Sequence, residues 1–172
     1  MLFRSASRAT NGSVTGIGWI IDFGLGTTPR LKNRAGSRAS ILDAELQAIH
    51  LGLYEAVQHV PHEHQPACRF TVRSDSQNAV NLVLGKITHA RGLTQNGKAM
   101  VDAIRRLMIG RQVDLGWVRG HDGDVHNEFA DRLAVMARRN AESGISKEQA
   151  ETLLNGLRQE AAERLISYTL AA

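Results

Sequence analysis

Three carboxylates of the 172-residue chain, Glu45, Asp75 and Asp131, fall at places where elements begin or end. Glu45 lies in the first turn of a helical pattern. Asp75 closes a strand pattern immediately before a helix, and Asp131 lies early in the helix that follows Gly123. In an α/β sheet such positions can converge on one crevice, which is where these folds place ligands. Carboxylates gathered there repel one another unless a hard divalent cation sits among them, and Mg²⁺ prefers oxygen ligands of this kind. Taken singly, each has a plainer use. A glutamate at a helix start is favoured by the helix dipole, and an aspartate on a helix is ordinarily solvated.

The elements that must position these groups follow from periodicity and punctuation. Leu2 to Ser5 reads as the start of a strand, Asn11-Gly12 as a tight turn, and Gly16 to Ile21 as a second strand. Gly24 to Ser40 is a loop-rich basic stretch with room for a third strand. Between Ala44 and Val57, Leu46, Ile49, Leu53 and Val57 recur at helical spacing, and Pro61 closes the segment. Phe70-Thr71-Val72 is a strand, Gln77 to Leu84 a helix stopped by Gly85, Gly97 to Met108 another helix and Val113 to Val118 another strand. Asn127 to Arg139 is a helix whose buried face carries Phe129, Leu133 and Met136. Strands in a run, then strands alternating with helices, indicate a mixed sheet with helices on its faces. After Asn140 the texture changes. Ser146-Lys147-Glu148-Gln149 has the form of a capping box, opening a last helix with the apolar stripe Leu153, Leu154, Leu157, Ala161 and Leu165. The expected organisation is a body over residues 1–140 and a helical extension over 141–172.

Ala44-Glu45-Leu46-Gln47-Ala48, Arg73-Ser74-Asp75-Ser76-Gln77 and the run from Trp117 to Gly123, with Asn127 to Ala134, resemble the type 1 ribonuclease H family. The likeness spans residues 1–140 in the family's own order and spacing. It implies an α/β, three-layer ribonuclease H-like fold, with a mixed five-stranded sheet and helices on both faces. It further implies that Glu45, Asp75 and Asp131 are three of the family's four metal-binding carboxylates, with Mg²⁺ as the ion and Mn²⁺ as its substitute. His121 matches the family's mobile histidine, which moves protons or helps release product, and a neutral-range pKa suits that task. The implied activity is two-metal hydrolysis of the RNA strand of an RNA–DNA hybrid.

One position departs from the pattern. The family's first strand ends in an aspartate. Counting back without gaps from Gly16-Ile17-Gly18, the matching residue is Ser5. A second placement sets Asn11 there, but leaves too short a connection to the Gly16 strand. Neither residue is a carboxylate, so the resemblance leaves two readings: an impaired hybrid nuclease, or a weak or inactive hybrid-binding module of the same fold. For substrate contacts it points to Asn11, Ser40, Ser76 and Gln77, whose amides and hydroxyls can read groove edges and the RNA 2′-OH. Arg91, Lys98, Arg105 and Arg106 are further groups able to touch phosphates.

Composition frames these readings. Hydrophobic residues make up 42% and charged residues 22%, the balance of a chain that folds. The net charge of +4 divides into +6 on residues 1–140 and −2 on the extension, so the body is the part that meets a polyanion. One cysteine, Cys68, excludes an internal disulfide and a cysteine metal site. No apolar run is long enough to span a bilayer and no signal-peptide core follows Met1, so the expectation is a cytoplasmic protein without a membrane partner. The last helix packs either on the body, leaving a monomer, or on a second chain as a dimer; the monomer is favoured.

Overall fold

The computed structural model describes residues 2–8, 14–24, 27–37, 40–120 and 124–171, and of residues 2–5, 7, 8, 37 and 166–171 only the backbone. Five strands form one sheet: β1 (Leu2–Arg8), β2 (Val14–Ile21), β3 (Arg30–Ser37), β4 (Arg69–Ser74) and β5 (Gln112–Trp117), in the order β3-β2-β1-β4-β5. β1 to β3 form an antiparallel meander, while β4 and β5 add in parallel beside β1. The third strand is thus real and lies at the edge, where its Arg30, Lys32 and Arg34 stay in solvent.

β2 shows how period-two alternation builds three layers. Ile17, Trp19 and Ile21 point to one face, where α1 (Ile41–Gln58) brings Leu46, Ile49 and Leu53 and α3 (Gln95–Met108) brings Val101 and Ile104. Gly16, Gly18 and Ile20 point to the other face, under α4 (Val125–Ser143). The two glycines let α4 lie directly on the strand. A Cβ on Gly18 would come within 2.5 Å of the Leu133 Cβ, and one on Gly16 within 2.7 Å of the Arg138 amide nitrogen. Asn33 of β3 ties the same helix down by donating to the Leu133 carbonyl at 3.3 Å.

Caps set the helix limits. Ser40 accepts from the Asp43 amide, so α1 begins at Ile41, three residues before the apolar spacing suggests. Glu45 therefore stands in the second turn rather than the first, and the acidic first-turn residue is Asp43. Thr94 likewise caps α3 at Gln95, two residues earlier than expected. α2 (Gln77–Val83) is capped by Ser76 and followed by Gly85, whose φ of 73° suits glycine.

α5 (Lys147–Ala171) opens with a reciprocal box. Ser146 Oγ accepts from the Gln149 amide, and the Ser146 amide donates to Gln149 Oε1. Leu154, Leu157, Ala161 and Leu165 pack against Ile20, Leu31, Phe129 and Leu133, so the extension braces its own body. Leu153 is 50% exposed and leaves the expected stripe, because one residue is 100° of rotation from Leu154. Ion pairs Arg132–Glu160 at 2.6 Å and Arg164–Glu128 at 3.0 Å close the rim, with both guanidinium groups over the Phe129 ring. No helix among the described residues is long and apolar enough to cross a membrane.

Candidate active site

The carboxyl end of β4 lies beside the middle of β1, and the candidate acidic residues come from the elements around that point. Arg4 pairs with Ser74, so Ser5 stands one residue further along β1, abreast of Asp75, which follows Ser74 at the end of β4. Glu45 approaches from the α1 face. It is buried, at 5% exposure, and its Oε1 accepts from the Ala6 amide at 2.9 Å. A buried carboxylate held by the backbone residue next to Ser5 is fixed in place by α1 and β1 together.

Asp75 sits in a tight local frame. Ser74 Oγ accepts from the Ser76 amide at 2.9 Å, the Val118 amide donates to the Ser74 carbonyl at 2.8 Å, and Trp117 Nε1 donates to the Asp75 carbonyl at 3.1 Å. None of these three bonds uses the carboxylate, whose Oδ1 is shielded from solvent. Gly120 passes so close that a Cβ there would lie 3.8 Å from Asp75 Oδ2. The next residue is His121, which with Asp122 and Gly123 lies outside the described residues.

Asp131 comes from the opposite face. It follows Ala130, whose carbonyl lies against Gly18, and Gly18 is the strand partner of Ser5. α4 thus crosses the sheet at the Ser5 rung. Asp131 is half-buried and also lines a hollow between α4 and α5 with Val135, Met136 and Leu157. Glu45 is thus tied to β1 at Ala6, Asp75 follows the end of β4 beside β1, and α4, which carries Asp131, crosses the sheet at the Ser5–Gly18 rung. Among the described residues, no three His, Cys, Asp or Glu side chains form a cluster able to hold a metal ion. The donors are all carboxylate oxygens, the kind a hard divalent cation takes.

The expected substrate residues divide. Ser40 and Ser76 both cap helices, accepting from the Asp43 and Ala79 amides. Gln77 is exposed at the first position of α2. Asn11 lies outside the described residues. Arg105 has a structural task, donating to the Leu82 and Val83 carbonyls at the end of α2.

Two further polar residues, Asp43 and Asn127, are buried, and only Asn127 lay within a motif of the sequence. Asp43 is buried and bonds both the hydroxyl and the amide of Thr94, tying the start of α1 to the start of α3 across 51 residues of sequence. An aspartate in a first helical turn normally signals only the helix dipole. Asn127 is buried in the first turn of α4, and its Oδ1 has no hydrogen-bond partner among the described residues. Beside it His126 stands 3.4 Å from Asp22, a contact that holds the Asp22 carboxyl below its ordinary value.

The RNase H family profile matches residues 1–139. A ribonuclease H of Methylorubrum extorquens is 39% identical over 99 residues, covering 53% of this chain and 43% of that protein. A ribonuclease HI of Haemophilus ducreyi is 32% identical over 82 residues, covering 43% of this chain and 54% of that protein. The chain thus aligns with about half the length of these curated relatives. Among solved structures, RNase H1 from the halophilic archaeon Halobacterium salinarum superposes with a TM-score of 0.65 at 20% identity, over 81% of this chain and 96% of that one. The N-terminal RNase H domain of a Mycobacterium tuberculosis protein gives 0.66 at 20% identity, over 84% and 98%. Fold and profile agree, and the chain belongs to the RNase H family.

Proposed function

We propose that the chain is an endonuclease that hydrolyses the RNA strand of RNA–DNA hybrids, working with Mg²⁺, or Mn²⁺ in its place, held by Asp75, Glu45 and Asp131. The observation that carries this reading is the meeting of three elements beside the middle of β1: Glu45 bonded to Ala6, Asp75 abreast of Ser5, and α4 crossing at the Ser5–Gly18 rung. A divalent cation at such a site supplies an acidified water and charge stabilisation at the leaving oxygen. The reaction adds water oxygen to phosphorus, breaks the bond to the 3′ oxygen, and delivers a proton to that oxygen. Asp75 offers its carboxylate from a backbone held by bonds to Ser74, Ser76 and Trp117. His121, which follows Gly120 in the sequence, is the proton carrier. Ser40, Asn11, Ser76 and Gln77 contact the hybrid, Gln77 with an exposed amide at the start of α2.

Ser5 supports a second reading, a weakly cutting or non-cutting hybrid binder, because a hydroxyl supplies neither the charge nor the paired oxygens of a carboxylate. Incubating the chain with a hybrid labelled on each strand in turn, under Mg²⁺ and under Mn²⁺, separates the two. RNA-strand fragments support the nuclease, and retention without fragments supports the binder. Equal cutting of duplex DNA contradicts both. The lone free cysteine fits a reducing, cytoplasmic location, and a monomer fits the intramolecular seat of α5.

A further inference from the structure

From Phe23 to Leu42 the sequence holds Arg30, Lys32, Arg34 and Arg38 and no acidic residue. The fold turns part of this run into a surface. Arg30, Lys32 and Arg34 alternate with Leu31, Asn33 and Ala35 along β3, so period two puts the three cations on one face and the other three residues on the opposite one. Leu31 is buried under α4 and α5, while the cations are exposed on the α1 face of an edge strand. None of the three forms an ion pair with a described residue. The nearby α1 carboxylate, Glu55, accepts instead from Nε1 of Trp19, the strand partner of Lys32. Arg30 lies over the Phe23 ring at 5.8 Å, a contact that leaves its in-plane donors free.

We propose that this face of β3 is a tract for the sugar–phosphate backbone of the bound nucleic acid, with Arg30, Lys32 and Arg34 each meeting phosphates beyond the cleavage site. The inference rests on the hybrid-binding reading and adds where the substrate's outer length runs. Arg34 pairs with Ile17, whose other neighbour is Ala6, the residue held by Glu45, so the tract begins at the carboxylate end. There Arg34 shares a hollow with Thr15, Ala44 and Gln47, and Ala44 adjoins Glu45 in α1. It then leads outward to Arg30. At about 3.3 Å per residue the three cations span roughly 13 Å, the rise of about four nucleotides of one strand. Charges on an edge strand also discourage edge-to-edge pairing. That use needs no run of unpaired cations starting beside the site, whereas a polyanion does.

Fluorescence anisotropy of the full chain on a labelled hybrid of about 20 base pairs, with Ca²⁺ replacing Mg²⁺, tests this across a salt series. In Arg30→Gln/Lys32→Gln/Arg34→Gln, the slope of log affinity against log salt should flatten by about 2 to 3, with affinity at low salt falling tenfold or more. Arg139→Gln/Lys147→Gln, which removes exposed cations from α4 and α5, should leave the slope unchanged. Should the triple variant fold poorly in a melting scan, each single variant should flatten the slope by about 1. An unchanged slope with binding intact overturns the tract alone, as does equal flattening in the control. Failure of the unsubstituted chain to bind the hybrid overturns the tract together with the reading beneath it.

Discussion

Glu45 and Asp75 are held differently, and substitution should separate their effects. Glu45 is buried and accepts the Ala6 amide, so Glu45→Gln keeps an acceptor there and should melt close to the parent. Its hydrolysis should nevertheless fall sharply, because a neutral amide is a poor ligand for a hard cation. Glu45→Ala leaves the partly buried amide of Ala6 without that acceptor, at about 1 kcal/mol, and thermal melting of the two variants beside their cleavage rates shows the split. Asp75→Asn leaves the framing bonds of Ser74, Ser76 and Trp117 untouched, since none uses the carboxylate. It should unfold like the parent while cutting at least about a hundredfold more slowly. Equal loss of stability and activity in Asp75→Asn would assign it a structural role instead.

α4 and α5 carry the element-scale predictions. Gly18→Ala drives a methyl into Leu133 and the α4 backbone, and urea titration should show a loss of at least about 1–3 kcal/mol. In α5 the apolar stripe outweighs the ion pairs. Leu157→Ala should cost about 2–5 kcal/mol, whereas Glu160→Gln, in a half-exposed pair, should cost under about 1 kcal/mol. Glu128 and Glu160 are held below their ordinary value of 4.5 by hydrogen bonds from Arg164 and Arg132. A lowered folded-state pKa contributes stability above the unfolded value and loses it as pH falls through the folded one. The hydrogen-exchange protection factors of α5 should therefore fall below pH 4.5, and by less in high salt. Most elements were legible in the sequence, because β2 alternates and α1, α4 and α5 repeat at helical spacing. The α1 start was not, since it is set by the Ser40 cap ahead of Ile41 rather than by the apolar period, which already includes Leu42. Nor was the Asp43–Thr94 bond, which joins residues 51 apart and leaves no local pattern. The carboxylates were legible through the motifs around them, whereas the strand pairing that sets Ser5 abreast of Asp75 is a tertiary fact.

On the scale of the molecule, a basic body of net charge +6 carries a site whose first-strand position is a hydroxyl, and these two features should govern different observables. Affinity comes from phosphate contacts spread over the body, so it should be salt-sensitive and almost indifferent to one added carboxylate. Cleavage depends on charge placed at the reacting phosphate, so it should be sensitive to that carboxylate. The direct measurement is single-turnover cleavage of a hybrid's labelled RNA strand by the chain and by Ser5→Asp, with hybrid affinity taken on both. The account predicts feeble cutting by the parent with Mg²⁺ and partial recovery with Mn²⁺. Ser5→Asp should cut faster by about a hundredfold or more, with affinity nearly unchanged. A parent that already cuts as fast as Ser5→Asp, or a chain in which Asn11→Asp restores cutting and Ser5→Asp does not, would contradict it.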